Sequence, residues 1–388
     1  MKILFVSDYY PSVKRPQFCI FIQQQAQALI KLGHEVEVIV PTNVNHLKEK
    51  QNPSKLEGVT VHYAEYFTLY KRIYNYLAFI RNIRCYEKWF DFKSYDIISL
   101  HMFDEFTLRI FTRIAKRHRK KLILHYHGLS LLYDKPQRFL VRILQRRGDY
   151  FLKRLVSKAD AFVGVSDKVC HRLSQQYSNI TNFTVYNGVN TELFYPDRKN
   201  NLNEFRIIAI ASLKKIKGNH YLIEAVRMLC NENPDEDIKL FIIGYGPEAE
   251  RLKALTKELN LEDKVHFIGY LKYEAVAAIL RDCDVYAMPS YYEALGCAYL
   301  EAMACKLPVI GCYDQGIDEI IINGVNGFLV KPHQVKELYE KLNYLLKNPD
   351  KRKEMAQKGY ETVTNGFTWR DSAIALLRVY QRVIASER

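Results

Sequence analysis

The chain has no C-x-x-C pair among its 8 cysteines, and no stretch approaches the ~20 consecutive apolar residues of a membrane span. The first absence excludes a zinc knuckle and a small disulfide scaffold, so reduced thiols in a cytosolic protein are the expectation. The second points to a soluble or peripheral protein. The opening Ile3–Val6 run is too short for a signal peptide and meets Asp8 at once. Internal repeats of solenoid period and low-complexity tracts are also missing. A charge excess is missing from half of the chain. From Pro196 onward, 27 Lys+Arg face 27 Asp+Glu, whereas up to Tyr195 the count is 30 against 16. The whole +14 therefore sits in the first half. Its partner should be anionic: a membrane surface, a phosphorylated acceptor or nucleic acid. No nucleic-acid recognition motif supports the last.

What is present is a large globular α/β chain. At 388 residues with 48% hydrophobic content, it should hold two or more domains with real cores. Short apolar runs alternate with longer amphipathic ones. Lys2–Ser7 reads as a buried strand, Phe18–Leu32 as a helix ended by Gly33, and Glu35–Val40 as the next strand. Further strands are expected at Val59–Tyr63, Ile97–Leu100, Leu122–Tyr126, Ala161–Val165 and Phe183–Tyr186. This is the pattern of a mostly parallel sheet. It restarts after the polar stretch Tyr195–Asn203, with strands at Phe205–Ala211, Leu240–Ile243, Val265–Phe267, Val285–Met288 and Val309–Gly311. Two doubly wound domains follow, 1–195 and 204–365, with a helix over 366–388 that packs back toward the first. Ligands should bind in a cleft between them, outside the carboxyl ends of the strands.

The segment "PSYYEALGCAYLEAMACKLPVI" places two acids eight positions apart. Glu293 falls on a strand-to-helix loop and Glu301 inside the helix that starts near Gly296. The free N–H groups and positive end of that helix suit a phosphate. One carboxylate could then serve a sugar and the other a ribose, because each accepts two hydroxyl hydrogen bonds. A loop glutamate and a surface helix glutamate are the plainer alternative.

That segment resembles the E-x7-E element of retaining glycosyltransferases of family 4, which have the GT-B fold. "YPSVKRPQFCIFIQQQAQALIKLGHEVEVI", "HYHG", "VYNGVNTELFYP", "ASLKKIKGNHYLIEAV", "LFIIGYGPE", "VHFIGYL" and "DQGIDEIIINGVNGFLV" are similar to further family segments in the same order. The resemblance implies α/β architecture with two Rossmann-like domains facing a central cleft. It also implies roles. Lys217, Glu293 and His127 would act on the transferred sugar and its leaving diphosphate. Glu301 would hold the ribose, and the amides around Leu295, Gly296 and Cys297 would help with phosphate. Phe267, Ile268, Gly269 and Tyr270 would frame the base, and Gly244 and Ser212 would lie on the donor side. Pro16 and Cys19 would line the first, acceptor-side loop. A fixed lysine with a helix N-terminus can replace a metal, so no metal and no cofactor besides the nucleotide sugar is expected. Asp282-Cys283-Asp284 matches a D-x-D metal motif of another glycosyltransferase fold, but it stands before a buried strand and reads as structural.

Several positions depart from the family pattern. Cys19 replaces a glycine of the first loop, and Ser212 an arginine five residues before the lysine. Ala294 and Ala298 stand for a usual Gly and Pro, Lys306 for a Gly, and Gln315 where a glycine is common. Two basic stretches complete the picture. "LYKRIYNYLAFIRNIRCYEKWF" mixes aromatics with cations, and "RFLVRILQRRGDYFLKRLV" puts Arg138, Arg142 and Arg146 four apart on one helix face. Both suit a membrane interface, or else an ordinary solvated basic face. The resulting expectation is a hexose-type sugar transferase using a nucleotide-sugar donor and a polysaccharide or lipid-linked glycan acceptor. It would be cytoplasmic and peripheral at the inner membrane face. A non-catalytic subunit of the same fold, binding glycan or a partner transferase, is the alternative.

Overall fold

The computed structural model describes residues 1–12, 18–43, 54–66, 76–128, 152–197 and 204–386. The chain divides into two compact units. One joins Met1–Tyr186 to Trp369–Arg388, and the other is Asn187–Thr368.

The first unit runs β1 (Lys2–Ser7), α1 (Ile20–Lys31), β2 (Glu35–Asn43), β3 (Ser54–Leu56), β4 (Val59–Tyr66), α2 (Tyr76–Trp89), β5 (Ile97–His101), α3 (Glu105–Arg117), β6 (Lys121–Tyr126), β7 (Ala161–Gly164), α4 (Asp167–Gln176) and β8 (Asn182–Thr184). Its sheet has the order β3-β4-β2-β1-β5-β6-β7-β8. Among the described residues, only the β3–β4 pair of this sheet is antiparallel. Ile3, Leu4, Phe5 and Val6 of β1 are fully buried, as a central parallel strand covered on both faces requires. α3 starts where Asp104 accepts the Thr107 N–H at 2.8 Å, with Glu105 at its positive end and Lys116 and Arg117 at its negative end.

The second unit runs β9 (Phe205–Ile210), α5 (Asn219–Glu232), β10 (Ile238–Ile243), α6 (Ala249–Glu258), β11 (Val265–Gly269), α7 (Tyr273–Arg281), β12 (Val285–Ala287), α8 (Cys297–Ala304), β13 (Val309–Cys312), β14 (Phe328–Val330), α9 (Val335–Lys347) and α10 (Pro349–Thr364). All of its strands pair in parallel, in the order β11-β10-β9-β12-β13-β14. The strand order reverses between β9 and β12. The loops after those two strands therefore diverge and leave a crevice.

The last helix, α11 (Trp369–Ala385), returns to the first unit. Trp369, Ala373, Leu376, Tyr380 and Val383 recur at helical spacing and enter the core around Phe5, Ile22 and Val38. The division between units falls before the polar stretch 195–203 rather than within it. Residues 187–195 pack on the second unit because they carry apolar groups that need cover. Val189 N–H donates to Phe367 O at 2.8 Å. Phe194 meets Tyr273 edge-on at 4.9 Å, and Arg281 lies 4.1 Å above the Tyr195 ring. A polar composition marks exposure, and here it follows the boundary by several residues.

Cys19, the N-cap of α1, has φ 56° and ψ 35°, the left-handed region that glycine enters freely. Forcing a side chain into it costs about 1–2 kcal/mol. Cys19→Gly should therefore raise the unfolding free energy by about 1 kcal/mol, seen as a higher midpoint in urea at unchanged slope. A lower midpoint would mean that the thiol's packing outweighs the backbone cost. Burial pushes that thiol up to about 12, so it is inert at neutral pH.

Candidate functional site

Loops after β9, β10, β11, β12 and β13 gather at the carboxyl edge of the second sheet. The loop after β9 carries Lys214–Gly218, and the loop after β12 carries Pro289–Gly296. Tyr291 N–H and Ser290 Oγ both donate to Ile216 O at 3.1 Å. Gly218 stands at φ 72°, and a Cβ there would lie 2.2 Å from Pro289 O, so only glycine lets these loops touch. That contact places Lys217 beside Glu293, and their side chains form an ion pair. Both are largely buried, with side-chain exposures of 16% and 13%. Glu293 is fixed from behind. Its N–H donates to Gln315 Oε1 at 2.9 Å, and its carbonyl accepts from Gly316 N–H at 3.2 Å. The glutamine that departs from the family pattern is thus buried and orients the loop glutamate.

Gly296 caps α8 at φ 86° with no side-chain cap, so the first N–H groups of α8 are left for another acceptor. One turn on, Glu301 is buried and accepts from Tyr273 Oη at 2.5 Å. Burial raises its carboxyl to about 7, and the tyrosine hydroxyl opposes the rise. Cys297 accepts a weak bond from Asn187 Nδ2 at 3.4 Å. Gly244 N–H donates to Gly269 O at 2.9 Å, joining the loops after β10 and β11. Phe267 is partly buried against the core, Ile268 and Tyr270 are exposed, and the Tyr270 ring lies 6.2 Å from that of Tyr245. Ser212 is exposed, and its carbonyl accepts from Lys214 N–H at 2.8 Å. Asp284 sits at the other end of β12. It accepts from Arg206 N–H at 3.0 Å and pairs with Arg352 at 3.3 Å, which staples β9 to α10.

His127 lies in the first unit, within a cluster the sequence does not advertise. Parallel register sets His101 of β5 directly against His125 of β6, and His127 follows two residues on. His101 Nδ1 and His127 Nε2 share a hydrogen bond at 2.9 Å. Ser99 Oγ lies 3.2 Å from His101 Nε2 and accepts from Tyr380 Oη at 2.9 Å. Burial drops His127 to about 3 and holds His101 and His125 well below the ordinary value, so all three rings are neutral. Their ligand nitrogens lie within 4.8 Å of one another. Yet the rings stack with interplanar angles of 19–24°. Lone pairs lie in the ring planes, so near-parallel rings send them side by side instead of onto one ion. The set suits a hydrogen-bonded relay better than a metal. His127 Nδ1 is buried with no partner among the described residues.

Lys217, Glu293, Leu295, Gly296, Cys297 and Glu301 thus share one edge of the second unit. His127 and Cys19 belong to the first unit. Pro16, Arg138, Arg142 and Arg146 lie outside the described residues. Gln315, Tyr273, Asn187 and His101 are the partners that the motifs alone did not assign. Among the described residues, no helix is long and apolar enough to cross a membrane.

Two family models match, "Glycosyltransferase Family 4" over residues 20–193 and "Glycosyl transferases group 1" over residues 190–362. An uncharacterized glycosyltransferase of Methanocaldococcus jannaschii is 28% identical over 61% of this chain and 64% of its own length. The chain thus spans just under two thirds of that relative. Sucrose-phosphate synthase from Thermosynechococcus elongatus superposes over 100% of both chains with TM-score 0.79 at 20% identity. Anabaena HepE, solved with UDP-glucose, superposes over 98% of this chain and 100% of its own with TM-score 0.75 at 18% identity. The chain belongs to the family 4-type glycosyltransferases and has their GT-B fold.

Proposed function

We propose that the protein transfers a sugar from a nucleotide-diphosphate donor to a polysaccharide or lipid-linked glycan acceptor, with retention and without a metal. The observation that carries this reading is the Lys217–Glu293 pair set beside the uncapped N-terminus of α8. A diphosphate at that end would meet free N–H groups and one cation. The sugar it carries would meet Glu293. Glu301, one turn further on, would accept both ribose hydroxyls. In the transfer the bond from the anomeric carbon to the diphosphate oxygen breaks, and the nucleoside diphosphate leaves with the electron pair. The acceptor hydroxyl forms the new bond on the same face and gives its proton to the departing diphosphate oxygen. Lys217 and the α8 amides stabilise the charge that grows on the leaving oxygen. His127, kept neutral by burial, would offer Nδ1 to a hydroxyl of a ligand held at the first unit. The donor bound by HepE, UDP-glucose, supports the donor class.

The test is turnover of a panel of nucleotide sugars in excess chelator. Release of the nucleoside diphosphate should persist at the untreated rate. Complete loss on chelation, restored by Mg²⁺ or Mn²⁺, would replace the lysine-based account with a metal-based one. Failure to bind or cleave any donor would favour a non-catalytic glycan- or partner-binding subunit.

A further inference from the structure

Away from the donor edge, the first unit holds a groove of about 590 Å³ between α2, α3 and the segment around Leu155. Its floor is apolar: Phe79, Ile80 and Ile83 from α2, and Leu155. Its walls are basic. Arg109, Arg113, Lys116 and Arg117 fall on one face of α3, because spacings of three and four share a face. Arg109 is paired with Glu105, and Arg117 with Glu87 at 2.5 Å. The other four cations, Arg84, Arg113, Lys116 and Lys158, are exposed and in no ion pair among the described residues.

We propose that this groove binds a phosphate-headed lipid presented by a bilayer, which would hold the proposed transferase beside a lipid-linked acceptor. An apolar floor alone would fit any hydrophobic partner, and basic walls alone would fit any polyanion. An amphiphile with an anionic head satisfies both, its phosphate among the cations and its first carbons on Phe79 and Ile80. The size agrees. The groove is about twenty times the ~30 Å³ share of one liquid water, which accommodates a headgroup and a few methylenes. The charge distribution agrees as well, since all of the +14 precedes Pro196. Each basic contact with an anionic leaflet contributes about fivefold in affinity.

The full chain should sediment with vesicles of phosphatidylcholine containing phosphatidylglycerol, and not with phosphatidylcholine alone. The triple variant Arg84→Glu, Arg113→Glu and Lys158→Glu should lose at least a hundredfold in that binding, with an unchanged melting curve and unchanged nucleotide-sugar affinity. Short-chain phosphatidic acid below its micelle threshold should compete with the vesicles, and inorganic phosphate at the same concentration should not. Vesicle binding retained by the triple variant overturns the proposal. Equal competition by inorganic phosphate overturns it too, because the apolar floor would then play no part. So does tighter retention of the protein by single-stranded RNA than by the anionic vesicles. Wild-type failure to bind any nucleotide sugar bears on the transferase reading alone and leaves the vesicle result standing.

Discussion

Lys217→Ala should lower turnover by a hundredfold or more while the fold survives. A cation about 4 Å from the departing oxygen, at an effective dielectric near 20, contributes roughly 4 kcal/mol. Realised only in the transition state, that is about three powers of ten in rate. The α8 amides would retain part of the effect, so the expected loss is smaller than the full figure. The ion pair with Glu293 adds a second consequence. Removing the lysine leaves a largely buried carboxylate uncompensated beside an incoming diphosphate, and breaking one side of such a pair is costly. Donor affinity should therefore fall along with turnover. Adding Glu293→Gln to Lys217→Ala should restore much of the donor affinity, measured by calorimetry, and none of the turnover. Near-normal turnover in Lys217→Ala would show that Lys214 or Lys215, both exposed on the same loop, supplies the charge instead.

Most strands of both sheets were legible because they are compact apolar runs closed by a turn residue, and parallel strands buried on both faces need such runs. β3 and β14 were not read as strands, and β3, Ser54-Lys55-Leu56, carries a single apolar residue and so no apolar run. The donor edge was legible as motifs because its residues cluster in two loops, Lys214–Gly218 and Pro289–Gly296. What was not legible is what holds those loops. Gln315 stands out in sequence only as a departure from a glycine, yet its side chain accepts the Glu293 N–H. Tyr273 lies 28 positions before Glu301 and reaches it only because α7 and α8 are neighbours in space. The histidine cluster is a product of register. His101 and His125 are 24 positions apart, and only parallel pairing of β5 with β6 sets them opposite each other. Tyr380 arrives from the far end of the chain, carried by α11.

Glu301 should make donor affinity depend on pH with a midpoint of about 7. A carboxylate can accept hydrogen bonds from both hydroxyls of a ribose, whereas the neutral acid must present its own proton to one of them. Burial raises this carboxyl from 4.5 to about 7, so half of the free protein is in the wrong form near neutrality. Affinity for a nucleoside diphosphate should then fall about tenfold for each pH unit below 7 and level off above 8. Tyr273→Phe removes a hydrogen bond that favours the ionised form, so it should move the midpoint upward. Glu301→Gln should flatten the profile and cost roughly 2 kcal/mol of binding at pH 8, the range of a hydrogen bond to a charged group. The same substitution should stabilise the fold. The folded protein holds the proton to higher pH than the unfolded chain does, so stability from this group is complete below about 4.5 and is lost as pH rises through about 7. The difference corresponds to roughly 3 kcal/mol at pH 8. Glu301→Gln should thus be the more stable protein and the weaker binder at pH 8, while at pH 4 the stability gain should vanish. A flat affinity profile in the wild type, or a glutamine variant that loses stability at pH 8, would place this carboxylate outside the donor site.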